Sequence, residues 1–261
     1  MLTARFGDIT EVLRQAGIDN ADREAQWIFE AADENEESAL ELARRRAGGE
    51  PLQYVTGTAA FRHIEVAVGP GVLIPRPETE VVADRALGLL PVGGTLVDIG
   101  TGSGAIALAV AHERSDVTVF ATEISDEAVI WAEKNRRALR SSVRLLKGDL
   151  FSPLPASLKE QVDVVVSNPP YVALAERALL PSDVINHEPY EALFAEDGLS
   201  VLRRLIADSP EWLKPGGWLV MEIGEKQGDD VLKLLSEAGF AGAFLEQDLT
   251  GRDRIAGASR K

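Results

Sequence analysis

The sequence TLVDIGTGSGA, residues 95–105, joins an apolar run directly to three closely spaced glycines. The apolar run predicts a buried strand, and the pattern that follows at about 103–112 predicts a helix. Glycines let the backbone turn tightly and bring a ligand close to the N-terminus of the next helix. The stretch therefore predicts a strand–turn–helix unit with a ligand site at the carboxyl end of the strand.

Apolar runs alternate with helical patterns throughout the chain that surrounds this unit. This alternation predicts a parallel-rich sheet with helices on both faces and its ligand at the carboxyl ends of the strands. We expect strands at 95–99, 117–122, 143–147, 162–166, 217–223 and 242–248, and helices at about 103–112, 126–139, 198–213 and 227–238. Residues 1–48 show the periodicity of a small helical bundle. Residues 51–80 combine apolar alternation with glycines and prolines, as in a β-hairpin.

Composition excludes several classes of site. The chain has 261 residues, no cysteine and three scattered histidines, so disulfides and Cys-based zinc sites are excluded and no metal site is expected. A net charge of −15 disfavours a nucleic-acid partner, because binding to phosphates depends on Lys and Arg. We find neither a membrane span nor a signal peptide, and we expect a cytoplasmic monomer.

Acidic residues around the glycine turn indicate which cofactor it binds. Gly100, Gly102 and Ala105 also satisfy a loose dinucleotide pattern, so the glycines alone do not separate NAD from S-adenosylmethionine. Glu123 ends the second strand, where an acid can accept both ribose hydroxyls. Asp98 can hold the loop or meet an ammonium group, and the segment after the third strand can contact adenine. The predicted cofactor contacts are Asp98, Gly100, Thr101, Gly102, Ser103, Gly104, Glu123, Asp149, Leu150 and Phe151.

The fourth strand ends in Asn168-Pro169-Pro170-Tyr171, and this motif indicates the chemistry. An amide nitrogen is a weak nucleophile because its lone pair is delocalised into the carbonyl. The side-chain oxygen of Asn168 and the carbonyl of Pro169 can accept both N–H hydrogens and aim the lone pair at a methyl donor. Tyr171 would pack over the planar substrate. With the glycine turn, the motif predicts an S-adenosylmethionine-dependent methyltransferase that releases S-adenosylhomocysteine, with Asn168, Pro169, Pro170 and Tyr171 as its catalytic residues.

Several further segments give the chain a specific resemblance. They are Pro51–Tyr54, Leu73–Glu80, Asp98–Gly104, Gly148–Leu154, Ser167–Tyr171, Glu188-Pro189 with Ala192-Leu193, Glu222–Gly224 with Gln227-Gly228, and Asp248-Leu249 with Arg252 and Arg254-Ile255. With these segments the chain resembles the release-factor glutamine methyltransferase family (PrmC/HemK). That family modifies the glutamine of the Gly-Gly-Gln motif in peptide chain release factors.

The resemblance implies a specific architecture and set of contacts. The fold would be α/β, a seven-stranded Rossmann-like class I methyltransferase sheet with a reversed last hairpin. Residues 1–50 would form a helical substrate-recognition domain, 51–79 a β-hairpin linker and 80–261 the methyltransferase domain. Asn168 would also contact the cofactor, and Arg76 would join Asn168–Tyr171 in binding the substrate. Two positions depart from the family: Glu123 replaces a commoner aspartate and Ala195 a frequent glycine.

Three alternatives stay open at this point. A ribosomal-protein glutamine methyltransferase would carry the same motifs, although the short helical N-terminus favours the release-factor enzyme. An adenine-N6 methyltransferase shares Asn-Pro-Pro-Tyr but is disfavoured by the negative charge. The third alternative is a binding protein that keeps the fold but has lost turnover. It is disfavoured because such a protein would not need the intact Asn-Pro-Pro-Tyr motif.

Overall fold

The first three helices form a small bundle with its own apolar core. A computed structural model describes residues 2–248 and 250–261, so Met1 and Leu249, the latter in one of the resemblance segments, lie outside the described residues. The helices are α1 (Leu2–Gln15), α2 (Ala21–Ala31) and α3 (Glu36–Ala47). Their buried side chains pack together and against Val55 of the next helix; they are Ile9, Leu13, Ala21, Ala25, Ile28, Ala39 and Ala43. This cluster follows the 3.6-residue periodicity that predicted the bundle.

The predicted hairpin is present and packs tightly against the rest of the protein. It comprises β1 (Thr58–Phe61) and β2 (Ile64–Ala67), preceded by the short helix α4 (Leu52–Thr56). Phe61, Ile64 and Val66 lie in the same apolar cluster as one face of the large sheet. The next helix, α5 (Pro77–Leu89), begins inside the predicted linker because Pro77 occupies its first turn, where a missing N–H costs nothing.

The middle of the chain alternates strands with helices, as predicted. The elements are β3 (Thr95–Ile99), α6 (Ala105–Glu113), β4 (Thr118–Glu123), α7 (Asp126–Ala138), β5 (Arg144–Lys147) and β6 (Val162–Ser167). Residues after β6 form β7 (Val172–Ala173), α8 (Ser182–His187), α9 (Tyr190–Leu193) and β8 (Phe194–Ala195). Ala195 is buried and pairs with Ala173 in a small parallel sheet, so the position takes a non-glycine residue without strain.

The last part of the chain completes the sheet. It comprises α10 (Ser200–Asp208), β9 (Leu213–Glu222), α11 (Gly228–Glu237), β10 (Ala241–Gln247) and β11 (Asp253–Ser259). The predicted helix at 198–213 is too long: α10 ends at Asp208, Pro210 follows in a turn of 3-10 helix, and Leu213 already belongs to β9. Proline lacks the N–H that would continue a helix.

The seven large strands form one mixed sheet in the order β10-β11-β9-β6-β3-β4-β5. Neighbours from β9 to β5 are parallel, whereas β11 runs antiparallel to both β9 and β10. This reversed last hairpin and the helices around the sheet confirm the predicted α/β, Rossmann-like class I methyltransferase fold. The carboxyl ends of β3, β4, β5 and β6 meet at one edge, where a ligand site is expected.

Candidate active site

A cleft of about 280 Å³ opens at the carboxyl ends of the parallel strands. Its walls bring together most of the predicted cofactor residues and the start of the Asn-Pro-Pro-Tyr motif. Lining residues from the predicted set are Gly100, Thr101, Gly102, Ser103, Glu123, Asp149, Leu150, Asn168, Pro169 and Pro170. The other predicted residues, Asp98, Gly104, Phe151, Tyr171 and Arg76, do not line it.

The glycine turn leaves room for a ligand. Gly100, Gly102 and Gly104 all have positive φ, and Gly104 is the left-handed residue immediately before α6. A Cβ at Gly100 or Gly102 would meet no protein atom within 4 Å, so it would occupy the space of the cleft. The missing side chains therefore let a ligand approach the backbone at the start of α6.

Glu123 is buried and holds the turn from the neighbouring strand. Its Oε2 accepts a hydrogen bond from the backbone N–H of Gly102 at 2.8 Å, and its Oε1 accepts one from Ser125 at 2.9 Å. A carboxylate has about four lone-pair sites, so acceptor capacity remains for ligand hydroxyls. Glu123 thus combines two tasks: it fixes the glycine turn and presents a negative charge to the cleft.

Asp98 lies beneath the glycine turn. Its Oδ2 accepts hydrogen bonds from the Thr101 hydroxyl at 2.6 Å and from the Ala107 N–H at 3.1 Å, whereas its buried Oδ1 makes no hydrogen bond within the described chain. Of the two roles predicted for Asp98, the geometry favours holding the loop. Burial raises the pKa of Asp98 to about 7, although both hydrogen bonds oppose the shift.

This raised pKa gives a prediction about stability. Between about pH 5 and about pH 7 the folded protein holds a proton that the unfolded chain releases, so wild-type stability falls as pH rises. Asp98→Asn lacks this titration, and its free energy of unfolding relative to wild type should rise by on the order of 2 kcal/mol over that interval. Urea denaturation of both proteins at the two pH values measures this difference. A constant difference would show that Asp98 is already ionised in the folded protein at pH 5.

The segment after β5 divides between the cleft and the core. Asp149 and Leu150 line the cleft, and Asp149 Oδ2 accepts a hydrogen bond from Arg204 Nη2 at 2.5 Å. Phe151, in contrast, is buried and stacks on Trp212 with ring centroids 5.8 Å apart. Of the two apolar side chains predicted to pack on an adenine ring, Leu150 lines the cleft and Phe151 does not.

Asn168 reaches the cleft from the end of β6. The preceding residue, Ser167, is buried and donates a hydrogen bond to the Ile99 carbonyl at 2.7 Å, which ties β6 to β3. Asn168 Nδ2 donates to Thr79 Oγ1 at 3.0 Å. Pro169 and Pro170 also line the cleft and have no N–H, so they place no backbone donor in this part of its wall.

Tyr171 turns away from the cleft wall. Its hydroxyl donates to Glu222 Oε1 at 3.0 Å, and burial raises the pKa of Tyr171 well above its usual range. Gln227 Nε2 donates to the backbone carbonyls of Tyr171 and Gly198 at 2.9 and 3.0 Å. Tyr171 is thus anchored at both its backbone and its hydroxyl, whereas sequence reasoning placed its ring over the substrate.

Arg76 acts on the cleft through a neighbour. Its Nη2 donates to Glu188 Oε1 at 2.5 Å, and Glu188 Oε2 accepts from the N–H of Ile74 at 3.2 Å. The Glu188 side chain is buried, so this ion pair clamps the segment that contains Pro75 to the segment that contains Pro189. Both prolines line the cleft, so the ion pair holds two segments of its wall together.

Sequence reasoning missed the roles of four polar residues around the motif. Thr79, Glu188, Glu222 and Gln227 all lie in segments that carried the family resemblance, but no role followed from their spacing. Their function as internal partners depends on contacts between distant parts of the chain. Across 2–248 and 250–261, no group of three or more His, Asp or Glu side chains is placed to hold a metal ion. None of the helices in these same ranges is long and apolar enough to cross a membrane.

Comparison with known proteins identifies relatives of this chain. The Methyltransferase small domain family matches residues 52–188. A release factor glutamine methyltransferase from Geobacter sulfurreducens is 37% identical over 94% of this chain and 92% of its own length. A second, from Xylella fastidiosa, is 39% identical over 98% of this chain and 95% of its own length. A ribosomal protein L11 methylase from Lactobacillus delbrueckii subsp. bulgaricus has a TM-score of 0.53 at 23% identity, covering 75% of this chain and 85% of that one, which shows a shared fold.

The two curated relatives exceed the identity and coverage at which family membership is secure, and they span both the helical bundle and the sheet. The chain belongs to the release factor glutamine methyltransferase family.

Proposed function

We propose that this protein transfers a methyl group from S-adenosylmethionine to the side-chain amide nitrogen (N5) of the glutamine in the Gly-Gly-Gln motif of peptide chain release factors. The observation that carries the proposal is that Asn168 and Pro169 share one cleft with the glycine turn and Glu123. A methyl donor and an amide acceptor can therefore meet there. The curated relatives are named as release factor glutamine methyltransferases.

The cofactor end of the cleft suits S-adenosylmethionine, which supplies an electrophilic methyl group when bound. Gly100–Gly104 would hold it close to the backbone, and the free lone pairs of Glu123 would accept its ribose hydroxyls. Leu150 would pack on the adenine, and Asp149 would accept from the adenine amino group once it exchanges its bond to Arg204. The glycine turn and Glu123 are already fixed by hydrogen bonds, so little ordering is required on binding.

The acceptor end orients a poor nucleophile. Asn168 Oδ1 and the Pro169 carbonyl accept the two N–H hydrogens of the glutamine amide and direct its lone pair toward the methyl group. Bound S-adenosylmethionine would supply a methyl group whose bond to sulfur breaks as a bond to the glutamine nitrogen forms. The nitrogen would release one proton to solvent, and S-adenosylhomocysteine would be the product. Catalysis arises mainly from positioning and from dipoles that favour positive charge developing on nitrogen.

The helical bundle would recognise the protein substrate. We propose residues 1–50 as the recognition domain, 51–79 as the linker and 80–261 as the catalytic domain. The separate apolar core of α1–α3, and the packing of the hairpin into the core of the sheet, support a second surface that is available for a protein substrate. A net charge of −15 supports a protein over a nucleic acid as partner. The protein would act as a monomer in the cytoplasm, without a metal.

A side-by-side assay of acceptors tests the proposed function. Radiolabelled methyl transfer is measured with purified release factor, a ribosomal-protein mixture and DNA, each at the same enzyme and donor concentrations. We expect label in the release factor. Label confined to ribosomal protein would indicate the sister glutamine enzyme, and label confined to DNA would indicate an adenine methyltransferase.

A further inference from the structure

A series of hydrogen bonds runs from Asn168 in the cleft wall to the buried side chain of Glu222. Asn168 Nδ2 donates to Thr79 Oγ1 at 3.0 Å, and the Thr79 hydroxyl donates to Glu222 Oε2 at 2.6 Å. Thr79 is 4% exposed and Glu222 is 1% exposed. These hydrogen bonds therefore join three elements, the end of β6, the first turn of α5 and the end of β9, and lead from the cleft wall into the core.

The hydrogen bonds of this series all run in the same direction, from Asn168 through Thr79 to Glu222. A carboxylate only accepts hydrogen bonds, so the single hydroxyl proton of Thr79 is committed to Glu222. The oxygen of Thr79 then has only lone pairs to offer, and Asn168 must meet it with its NH₂ group. The two ends of the Asn168 amide are similar in size, so such partners decide which end faces the cleft.

We propose that Glu222 and Thr79 are positioning residues that hold the Asn168 amide with Oδ1 toward the acceptor nitrogen, an inference that rests on the proposed function. With the opposite orientation, the NH₂ group of Asn168 would face the NH₂ group of the substrate. Two donors would then point at each other, and the glutamine nitrogen would lose one of the two hydrogen-bond acceptors that orient its lone pair.

This direction requires Glu222 to act as the hydrogen-bond acceptor, and the groups around it supply hydroxyl donors and a positive charge. Burial, with a smaller contribution from the nearby Glu78, raises the pKa of Glu222 above its usual value, and hydrogen bonds from Thr79 and Tyr171 and the positive charge of Arg254 oppose that shift. Tyr171 donates to the second carboxylate oxygen, so both oxygens of Glu222 receive a hydroxyl proton. This arrangement also explains why the Tyr171 hydroxyl points away from the cleft.

Two substitutions at Thr79 separate the contribution of its hydroxyl to turnover from the contribution of its packing. Thr79→Val keeps the shape and removes the hydroxyl, whereas Thr79→Ser keeps the hydroxyl. We expect Thr79→Val to lower kcat on release factor by about 10- to 100-fold, because Asn168 Oδ1 is no longer held toward the substrate nitrogen. Thr79→Ser should stay close to wild type. Glu222→Gln, which can donate to Thr79, should lower kcat as well. Affinity for S-adenosylmethionine, measured by calorimetry, should change by less than about twofold in the folded variants.

A double-mutant cycle tests whether Thr79 acts through Asn168. Under single-turnover conditions, Thr79→Val should slow methyl transfer when it is introduced into wild type. It should have little further effect on the rate in an enzyme that already carries Asn168→Ala. A Thr79→Val variant as fast as wild type, or one that slows Asn168→Ala by the same factor, would overturn the positioning role. Thermal melting identifies any variant that fails to fold. If Thr79→Val does not fold, the positioning role is tested by comparing kcat of Thr79→Ser, which should stay close to wild type, with kcat of Glu222→Gln, which should be lower. No methyl transfer by wild type itself would contradict the proposed function, which is a separate result.

Discussion

Asn168→Ala is expected to lower kcat on release factor by about 100- to 1,000-fold, because it removes an acceptor that acts most strongly in the transition state. Asn168 is only partly buried at the end of β6, and its side chain lines the cleft, so the fold should tolerate the change. Steady-state kinetics with release factor and thermal melting measure the two effects. The melting temperature should stay within a few degrees of wild type.

Asn168→Asp is the matched control. It keeps an oxygen toward the substrate but places a second oxygen, with negative charge, against Thr79 Oγ1, whose proton is already bonded to Glu222. We expect a loss of turnover intermediate between wild type and Asn168→Ala. Near-wild-type turnover by Asn168→Ala would show that the acceptor nitrogen is oriented by other groups.

Glu123→Ala is expected to weaken binding of S-adenosylmethionine by about 1.5–3 kcal/mol, because charge-assisted bonds to the ribose are lost. The substitution also leaves the N–H groups of Gly102 and Ser125 without their carboxylate partner, so the glycine turn loses a support. Isothermal titration calorimetry with purified protein measures the affinity directly.

Asp126→Ala serves as its control. Asp126 is also acidic, begins α7 close to Glu123, and its exposed side chain pairs with Lys147 instead of lining the cleft. Its removal should leave the affinity unchanged within about twofold, because exposed ion pairs contribute little. Equal losses in both variants would mean that overall charge, and not a contact from Glu123, governs binding.

Much of the fold was predictable from local pattern. The runs at 95–99 and 162–166 match β3 and β6 within one residue, because buried parallel strands are continuously apolar. The helix predicted at 198–213 was wrong at its end, since the apolar residues of α10 and β9 form one nearly continuous pattern and Pro210 divides them. The short elements between β6 and α10, such as α8 and β7, carry too few residues to show a period.

The candidate site was predictable where it depends on strand ends. Parallel strands bring their carboxyl ends to one edge, so Glu123 and Asn168 could be placed beside the glycine turn without a structure. The inward direction of Phe151 could not, because the neighbouring Leu150 is equally apolar and only packing against Trp212 decides between them. The pair Thr79 and Glu222, separated by 143 positions, is visible only in three dimensions.

Mass mapping of the reaction product tests the central claim most directly. Intact release factor is incubated with the enzyme and S-adenosylmethionine, digested, and compared with a reaction that contains Asn168→Ala and with an isolated Gly-Gly-Gln peptide as acceptor. We predict one added methyl group, on the glutamine of Gly-Gly-Gln, in intact release factor treated with wild type. The isolated peptide should react poorly, because it lacks contacts to the helical bundle that supply binding energy away from the reacting atom. A methyl group on any other residue of the release factor, or none at all, would contradict the account.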